Sequence, residues 1–366
     1  MRIAILTQPL RYNYGGILQN FALQTVLRRM GHKVETLDPC RYFAFHWWQY
    51  LLFAARHLAA NLLKGYDIPL RKEYNIDSKK RKLGRYTFPF IDKHIRYRGY
   101  KNLHNDIRPT DYDVYIVGSD QVWRGLYNTN LTNMFLDFTE GWSVKRLAYA
   151  ASFGTNQWEG TPEETEKCKS LLQQFDMVTV REDTGVDLCK NIFDVEAIQV
   201  LDPTLLLTQE DYIRELQLNL VPKSQGNLLV YILDYDEGKQ KMVDVIAEAK
   251  HLTPFRVNSD YENLKAPVEK RVQPPIEQWV CGFYDAEYVV TDSFHACAFA
   301  IIFNKPFTVC LNSERGSARF ESLFKFLGIV PEKICHNIFA CSLPDRGRIQ
   351  GMRETILQMI DKELGS

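Results

Sequence analysis

The stretch Glu287–Phe320, EYVVTDSFHACAFAIIFNKPFTVCLNSERGSARF, constrains the fold more than any other part of the chain. Glu287–Thr291 has the β-branched, apolar character of a buried strand. Phe294–Phe303 suits a buried helix, and Lys305–Leu311 returns to strand character. Strand, tight turn, helix and strand make one βαβ unit of a parallel sheet, and ligands bind beyond the carboxyl ends of such strands. The polar set Asp292-Ser293-Phe294-His295 falls at that end, beside a helix N-terminus whose N–H groups and dipole favour an anion. Packing accounts poorly for such a set between two apolar segments. The plainer alternative makes Asp292 or Ser293 a helix cap and His295 a satisfied interior side chain.

The same grammar recurs along the chain. Arg2–Thr7 reads as a strand, Pro9–Gly16 as a loop, Ile17–Met30 as a helix and Lys33–Leu37 as a second strand. Gly15-Gly16 opens this helix in place of a spaced G-x-G-x-x-G, so the dinucleotide fingerprint is absent; a close backbone approach and a plain flexible turn both fit. Tyr112–Val117 ends in Gly118-Ser119-Asp120, Arg146–Ala151 in Ser152-Phe153-Gly154, and Met177–Val180 in Arg181-Glu182-Asp183. Strands that end in polar clusters build a site along one edge of a doubly wound sheet. Asp202-Pro203-Thr204 closes this half, after the strand Ala197–Leu201.

A second α/β half begins near Asn227, with strands at Leu228–Leu233 and Phe255–Val257 and helices at Glu237–Lys250, Ile276–Tyr284, Ser317–Leu327 and Gly347–Leu364. The 366 residues suit this division into domains of ordinary size. The expected architecture is α/β and GT-B-like, with two Rossmann-like parallel-sheet domains facing a cleft. Residues 1–195 form the first domain, 196–345 the second, and 346–366 a terminal helix packing back on the first.

Residues 43–101 interrupt the first domain with a helical, basic insertion. Phe43–Lys64 sets His46, Gln49, Arg56, His57, Asn61 and Lys64 among apolar and aromatic residues, which suits an amphipathic helix or helix pair rather than a transmembrane span. Arg71–Lys101 then carries eleven Lys/Arg against three Asp/Glu, a net +8 in a chain whose total is +0. Aromatic anchors beside a basic run suit an anionic membrane face, while a helix packed on its own domain with a solvated basic run fits as well. A neutral total argues against nucleic acid as a partner. Eight cysteines without a C-x-x-C pair predict free thiols in a reducing cytoplasm and no zinc site. A strand starting at the first residues predicts no signal peptide.

NYGGILQNFAL (Asn13–Leu23), GSDQVW (Gly118–Trp123), YAASFG (Tyr149–Gly154), VREDTG (Val180–Gly185), LDPTLLL (Leu201–Leu207) and TDSFHACAFAIIFNKPF (Thr291–Phe307) together resemble the polysaccharide pyruvyl transferase family. The resemblance implies a GT-B-type fold and transfer of pyruvate from phosphoenolpyruvate to a pair of sugar hydroxyls, forming a cyclic ketal. It implies catalytic roles for His295 and Asp120 and donor binding by Arg181; Ser293, Arg315 and Arg319 are further candidates for donor binding, and Asn13, Gly15, Gly16 and Ser119 for acceptor binding. Phosphoenolpyruvate is then a co-substrate and no cofactor or metal is called for. The resemblance leads to the expectation of a sugar acceptor, carried on a lipid-linked oligosaccharide and handled at the cytoplasmic side of the membrane.

The chemistry of the residues agrees with this. A phosphate and a carboxylate need guanidinium groups or helix N-termini, protonation of a methylene carbon needs an acid titrating near neutrality, and a carboxylate can position or deprotonate the attacking hydroxyl. One departure stands out: many family members read Ser-Arg-Leu-His where this chain reads Asp292-Ser293-Phe294-His295. Ser293 with backbone N–H groups replaces the missing arginine, or Arg315 and Arg319 do, or donor binding has been lost. A GT-B glycosyltransferase using a nucleotide sugar and a non-catalytic carbohydrate-binding relative are the competing classes.

Overall fold

A computed structural model describes residues 1–40, 47–64, 72–261, 263–311, 318–335 and 337–365, the Glu73 side chain apart. The first part of the chain forms β1 (Arg2–Leu6), α1 (Tyr14–Arg29), β2 (Lys33–Pro39), α2 (Trp47–Lys64), α3 (Lys72–Leu83), α4 (Thr87–His94), β3 (Tyr97–Tyr100), α5 (Leu103–Asp106) and β4 (Val114–Val117). There follow β5 (Lys145–Ala151), α6 (Pro162–Leu172), β6 (Met177–Val180), α7 (Asp183–Phe193), β7 (Ile198–Gln199) and α8 (Gln209–Glu215). The second part holds β8 (Leu228–Tyr231), α9 (Glu237–Lys250), β9 (Pro254–Phe255), α10 (Ile276–Asp285), β10 (Tyr288–Thr291) and α11 (Phe294–Ile302). It ends with β11 (Phe307–Cys310), α12 (Ala318–Leu327), β12 (Pro331–Cys335), β13 (Ile338–Cys341) and α13 (Arg346–Leu364).

The first sheet is parallel throughout, in the order β3-β2-β1-β4-β5-β6-β7. Strands buried on both faces read as continuous apolar runs, and Val114–Val117 is buried at every position. The order reverses between β1 and β4, and a reversal of this kind opens a crevice beyond the strand ends. In the second sheet, ordered β12-β13-β11-β10-β8-β9, the reversal lies between β8 and β10. The two Rossmann-like domains face each other across a cleft in the GT-B-like arrangement.

Three details depart from the sequence reading. The second sheet is mixed, because β13 runs antiparallel to β11 and pairs with β12 as a hairpin. The first sheet extends past residue 195, since β7 pairs parallel with β6. The basic insertion returns to the sheet, with β3 pairing parallel to β2 at its edge. The hairpin left little periodicity to read, as every residue of β12 is exposed.

One apolar cluster runs through both domains, from Ile17 and Phe21 of α1 through Leu205 and Tyr212 to Trp279 and Phe299. Its aromatic rings form a spine, with Tyr14–Trp279 centroids 5.4 Å apart and Tyr212–Phe299 centroids 4.9 Å apart. The Tyr14 hydroxyl donates to the Pro274 carbonyl at 2.6 Å. Burying side chains of this size contributes about 1.5–3 kcal/mol each, so the facing of the two domains is held by packing. Helix α13 bridges them as well: Arg348 donates to the Phe326 carbonyl at 2.9 Å, and Lys145 reaches Glu363 at 3.7 Å.

Candidate active site

Both sheet reversals open on one cleft of about 730 Å³, lined by Asn13, Gly15, Gly16 and Asp120 on one side and by Ser293, His295 and Arg319 on the other.

On the first wall, the Asn13 side chain caps α1 by accepting from the Gly16 N–H at 3.3 Å. Gly15 is demanded by its neighbour: a Cβ there would lie 2.0 Å from His295 Nδ1. At Gly16 a Cβ would meet Asp120 Oδ2 at an ordinary 3.6 Å. The close approach is therefore that of Gly15 alone, to a side chain of the other domain. Gln19, one helical turn on, fastens the wall: it donates to Thr7 Oγ1 at 3.0 Å and accepts from the Ser119 N–H at 3.2 Å. Ser119 is fully buried, its hydroxyl donating to the Ala150 carbonyl at 3.0 Å. The structure thus keeps Ser119 off the cleft wall, contrary to an acceptor-binding role. It supports the turn in which Asp120 takes a left-handed φ of 71° and turns its carboxylate toward Gly16.

Behind the cleft floor lies a charged knot. The Arg181 guanidinium donates from Nε to Glu182 Oε1 at 3.1 Å and from one terminal nitrogen to Asp202 Oδ2 at 2.9 Å. Its other terminal nitrogen is 3.8 Å from Asp120 Oδ1, and the group lies 4.4 Å over the Phe294 ring. Burial works against the Arg181 charge, but Glu182, Asp202 and Asp120 more than reverse it and raise its pKa. The side chain is only 2% exposed, so it holds carboxylates in place rather than meeting a donor directly. Asp202 is further fixed by the Thr204 N–H at 3.0 Å and hydroxyl at 2.7 Å. Burial opposes the Asp202 charge too, and His295 and Arg181 together hold its pKa below the ordinary value.

His295 stands in the first turn of α11, with Nε2 3.7 Å from Asp202 Oδ2 and Nδ1 toward Gly15. Burial lowers its pKa more than Asp202 and Asp120 raise it, with Arg181 and Arg319 adding to the decrease. The ring is therefore neutral near pH 7. An arriving anion would change that balance.

Asp292 and Ser293 play different parts. Asp292 accepts from the Leu233 N–H at 2.7 Å and the Asp234 N–H at 3.1 Å, and pairs with Lys239 at 3.0 Å. It is the clasp across the reversal between β8 and β10. Ser293 opens α11 without a capping hydrogen bond from its side chain. Arg319, half-buried at the start of α12, lines the cleft, whereas Arg315 lies outside the described residues. Arg124 also lines the cleft, 3.6 Å from Glu159 and stacked 4.6 Å over Tyr127. Sequence reading gave no site role to Asp202, Glu182 or Arg124. Glu182 and Asp202 carried a signal, since each lies within three residues of a strand's carboxyl end.

By topology and by where its polar groups converge, this is a two-domain α/β protein built to act at the junction of its domains. A family model for polysaccharide pyruvyl transferase matches residues 13–314, and the chain belongs to that family. A search of curated proteins finds no match. Among solved structures, Arabidopsis thaliana UGT89C1 complexed with UDP-L-rhamnose is 8% identical, covering 98% of this chain and 93% of that one, at a TM-score of 0.49. UDP-GlcNAc 2-epimerase from Neisseria meningitidis bound to UDP-GlcNAc is 9% identical over 99% of this chain and 92% of its own, at a TM-score of 0.46. A functionally uncharacterized protein, KP1_0663 of Klebsiella pneumoniae, is 14% identical over 68% of this chain and 84% of its own, at a TM-score of 0.38. Likeness at this level assigns no substrate.

Proposed function

We propose that this chain moves the pyruvate moiety of phosphoenolpyruvate onto two hydroxyls of a sugar in a surface-polysaccharide precursor, forming a cyclic ketal and releasing inorganic phosphate. The observation that carries the reading is the His295 imidazole, set between the buried Asp202 and the cleft beside Asp120, at the N-terminus of α11. Nothing in packing calls for that arrangement.

In this reading the donor's phosphate and carboxylate are held by Arg319 and by the N–H groups opening α11, with Arg319 supplying the charge of the motif arginine that this chain lacks. The donor's negative charge raises the His295 pKa, so the acid is charged only once its substrate is present. His295 protonates the methylene carbon, which becomes the methyl group. The cationic carbon beside it is attacked by the first sugar hydroxyl, whose proton passes to Asp120. The second hydroxyl then displaces phosphate, which leaves with one of the two hydroxyl protons while the other restores His295. No cofactor enters this sequence. Asp202 steadies the imidazolium and Arg181 steadies Asp202.

Thermal-shift titration with phosphoenolpyruvate and with a panel of nucleotide sugars tests the donor, and phosphate release with candidate lipid-linked oligosaccharides tests the transfer. Stabilisation by phosphoenolpyruvate alone, with acceptor-dependent phosphate release, is expected. Stabilisation by a nucleotide sugar instead would assign the cleft to glycosyl transfer, and stabilisation by neither would leave a carbohydrate-binding role.

A further inference from the structure

Helix α2 is inside out. No residue of it is buried, although it is rich in leucine and tryptophan. At 3.6 residues per turn, Trp47, Trp48, Leu51, Leu52, Leu58, Leu62 and Leu63 fall on one half of its circumference, and all of them are exposed. Trp47 is 74%, Leu62 76% and Leu63 84% exposed. The opposite half carries most of the polar side chains, with Phe53, Ala54 and Ala60 among them, and it faces the protein. Gln49, Tyr50, His57 and Asn61 are half-buried, and the Tyr50 hydroxyl donates to the buried Asp77 of α3 at 2.7 Å. Phe53 apart, the large aliphatic and indole side chains of α2 thus stand outward while most of its polar ones turn inward, and an exposed apolar face of this kind marks an interaction site.

The charges around the face identify that occupant. Arg56 and Lys64 on α2 are exposed, and so are Lys72, Lys79, Arg81 and Lys82 on the adjoining α3. The one acidic side chain described on α3, Asp77, is buried against Tyr50. A two-fold contact with a second copy would bring these like charges together, which opposes self-association. An anionic bilayer meets both halves of the pattern, taking leucines into its acyl boundary, tryptophans at the headgroup level and basic groups at its surface. No described helix is long and apolar enough to cross a membrane.

We infer that α2 lies in the plane of an anionic phospholipid surface, with α3 as its electrostatic collar. The docked edge borders the catalytic cleft: Lys82 and Arg85 line a groove of about 710 Å³ with Pro274, whose neighbour Gln273 lines the cleft itself. A lipid-carried acceptor would reach the cleft along this groove, a corollary that rests on the reading of the function above. Docking rests on the surface alone, and it is measured without donor or acceptor.

Flotation of the full chain with phosphatidylcholine vesicles, with and without phosphatidylglycerol, tests it. Binding is expected to the anionic vesicles at low salt and to weaken steeply with added salt. Leu51→Glu/Leu62→Glu is expected to lower the bound fraction about tenfold or more, and Lys72→Glu/Lys79→Glu to weaken it several-fold, with unchanged melting because these side chains are exposed. A blue shift of tryptophan emission on mixing wild-type protein with anionic vesicles supports docking independently of any variant. No flotation at low salt, or equal flotation of the double-glutamate variant, overturns the inference. So does a solution dimer that Leu51→Glu/Leu62→Glu dissociates in a chain that ignores vesicles, which would make the face a contact between copies.

Discussion

Gly15 lies so close to His295 that a Cβ on it would sit 2.0 Å from the ring's Nδ1. The two residues belong to different domains, and their contact is where the first helix of one meets the imidazole of the other. Gly15→Ala cannot be accommodated without moving the ring or the start of α1. Because a displacement near 1 Å at a reacting group costs about 10²-fold in rate, turnover should fall by that order. Melting should fall only modestly. Steady-state kinetics beside a melting curve checks this, and normal turnover would show that the ring is free to move aside.

His295→Gln should keep the fold and much of the donor affinity while turnover drops about 10²–10⁴-fold, the usual loss for a positioned acid. A variant with lowered melting and near-normal turnover would falsify the acid role. Donor binding at pH 7 should also take up a proton, because His295 is held neutral by burial and gains charge beside the donor's anions. Calorimetry in buffers of differing ionisation enthalpy reads that uptake, and it should vanish in His295→Gln.

Arg319 and Arg181 should separate cleanly. Arg319→Ala removes a charged group from the cleft wall, and a charge-assisted bond is worth roughly 1.5–3 kcal/mol, so the apparent donor affinity should weaken about tenfold or more. Arg181→Ala instead leaves Asp202 and Glu182 buried without their cation, which costs about 3–5 kcal/mol and should show as a large fall in melting temperature. Unchanged donor affinity in Arg319→Ala would return the donor clamp to other groups.

Stability should depend on pH through histidine. Burial is the largest cause lowering His32, His94 and His295, with His94 pushed down to about 4. Between about 6.5 and 4 the unfolded chain binds protons that the folded one refuses, so stability falls as pH falls through that window. Carboxylates held below their ordinary range, such as Asp202, lose their contribution only at lower pH. Melting temperature followed from pH 7 to 4.5 should decline, and His295→Gln should flatten part of that slope. An unaltered slope would show that folding leaves the His295 pKa where it was, and a steeper decline would show that His295 is charged in the folded protein.

Much of the fold was legible because its signals are local. Apolar runs of strand length, broken by Gly118-Ser119-Asp120 or Arg181-Glu182-Asp183, mark parallel strands and their carboxyl ends without reference to anything distant. β12 and the edge strand β3 escaped because they are short and carry exposed, polar positions, and β13 because an apolar run of four residues is too short to tell a strand from a helical turn. The start of α1 at Tyr14 was also missed: Asn13 caps it, but two glycines in the first turn mask the helical pattern.

The sequence by itself determined which residues end the strands, and so which polar groups could gather at a cleft; periodicity and strand polarity need only neighbours in the chain. It also determined that α2 is amphipathic, though not which face looks outward. The tertiary structure decided the rest. It set Gly15 against His295, buried Arg181 among three carboxylates, took Ser119 out of the cleft and turned the leucines of α2 to the outside. Each of these depends on residues far apart in sequence and on the competition between burial and charge, which is resolved only when both domains have packed on their shared aromatic spine.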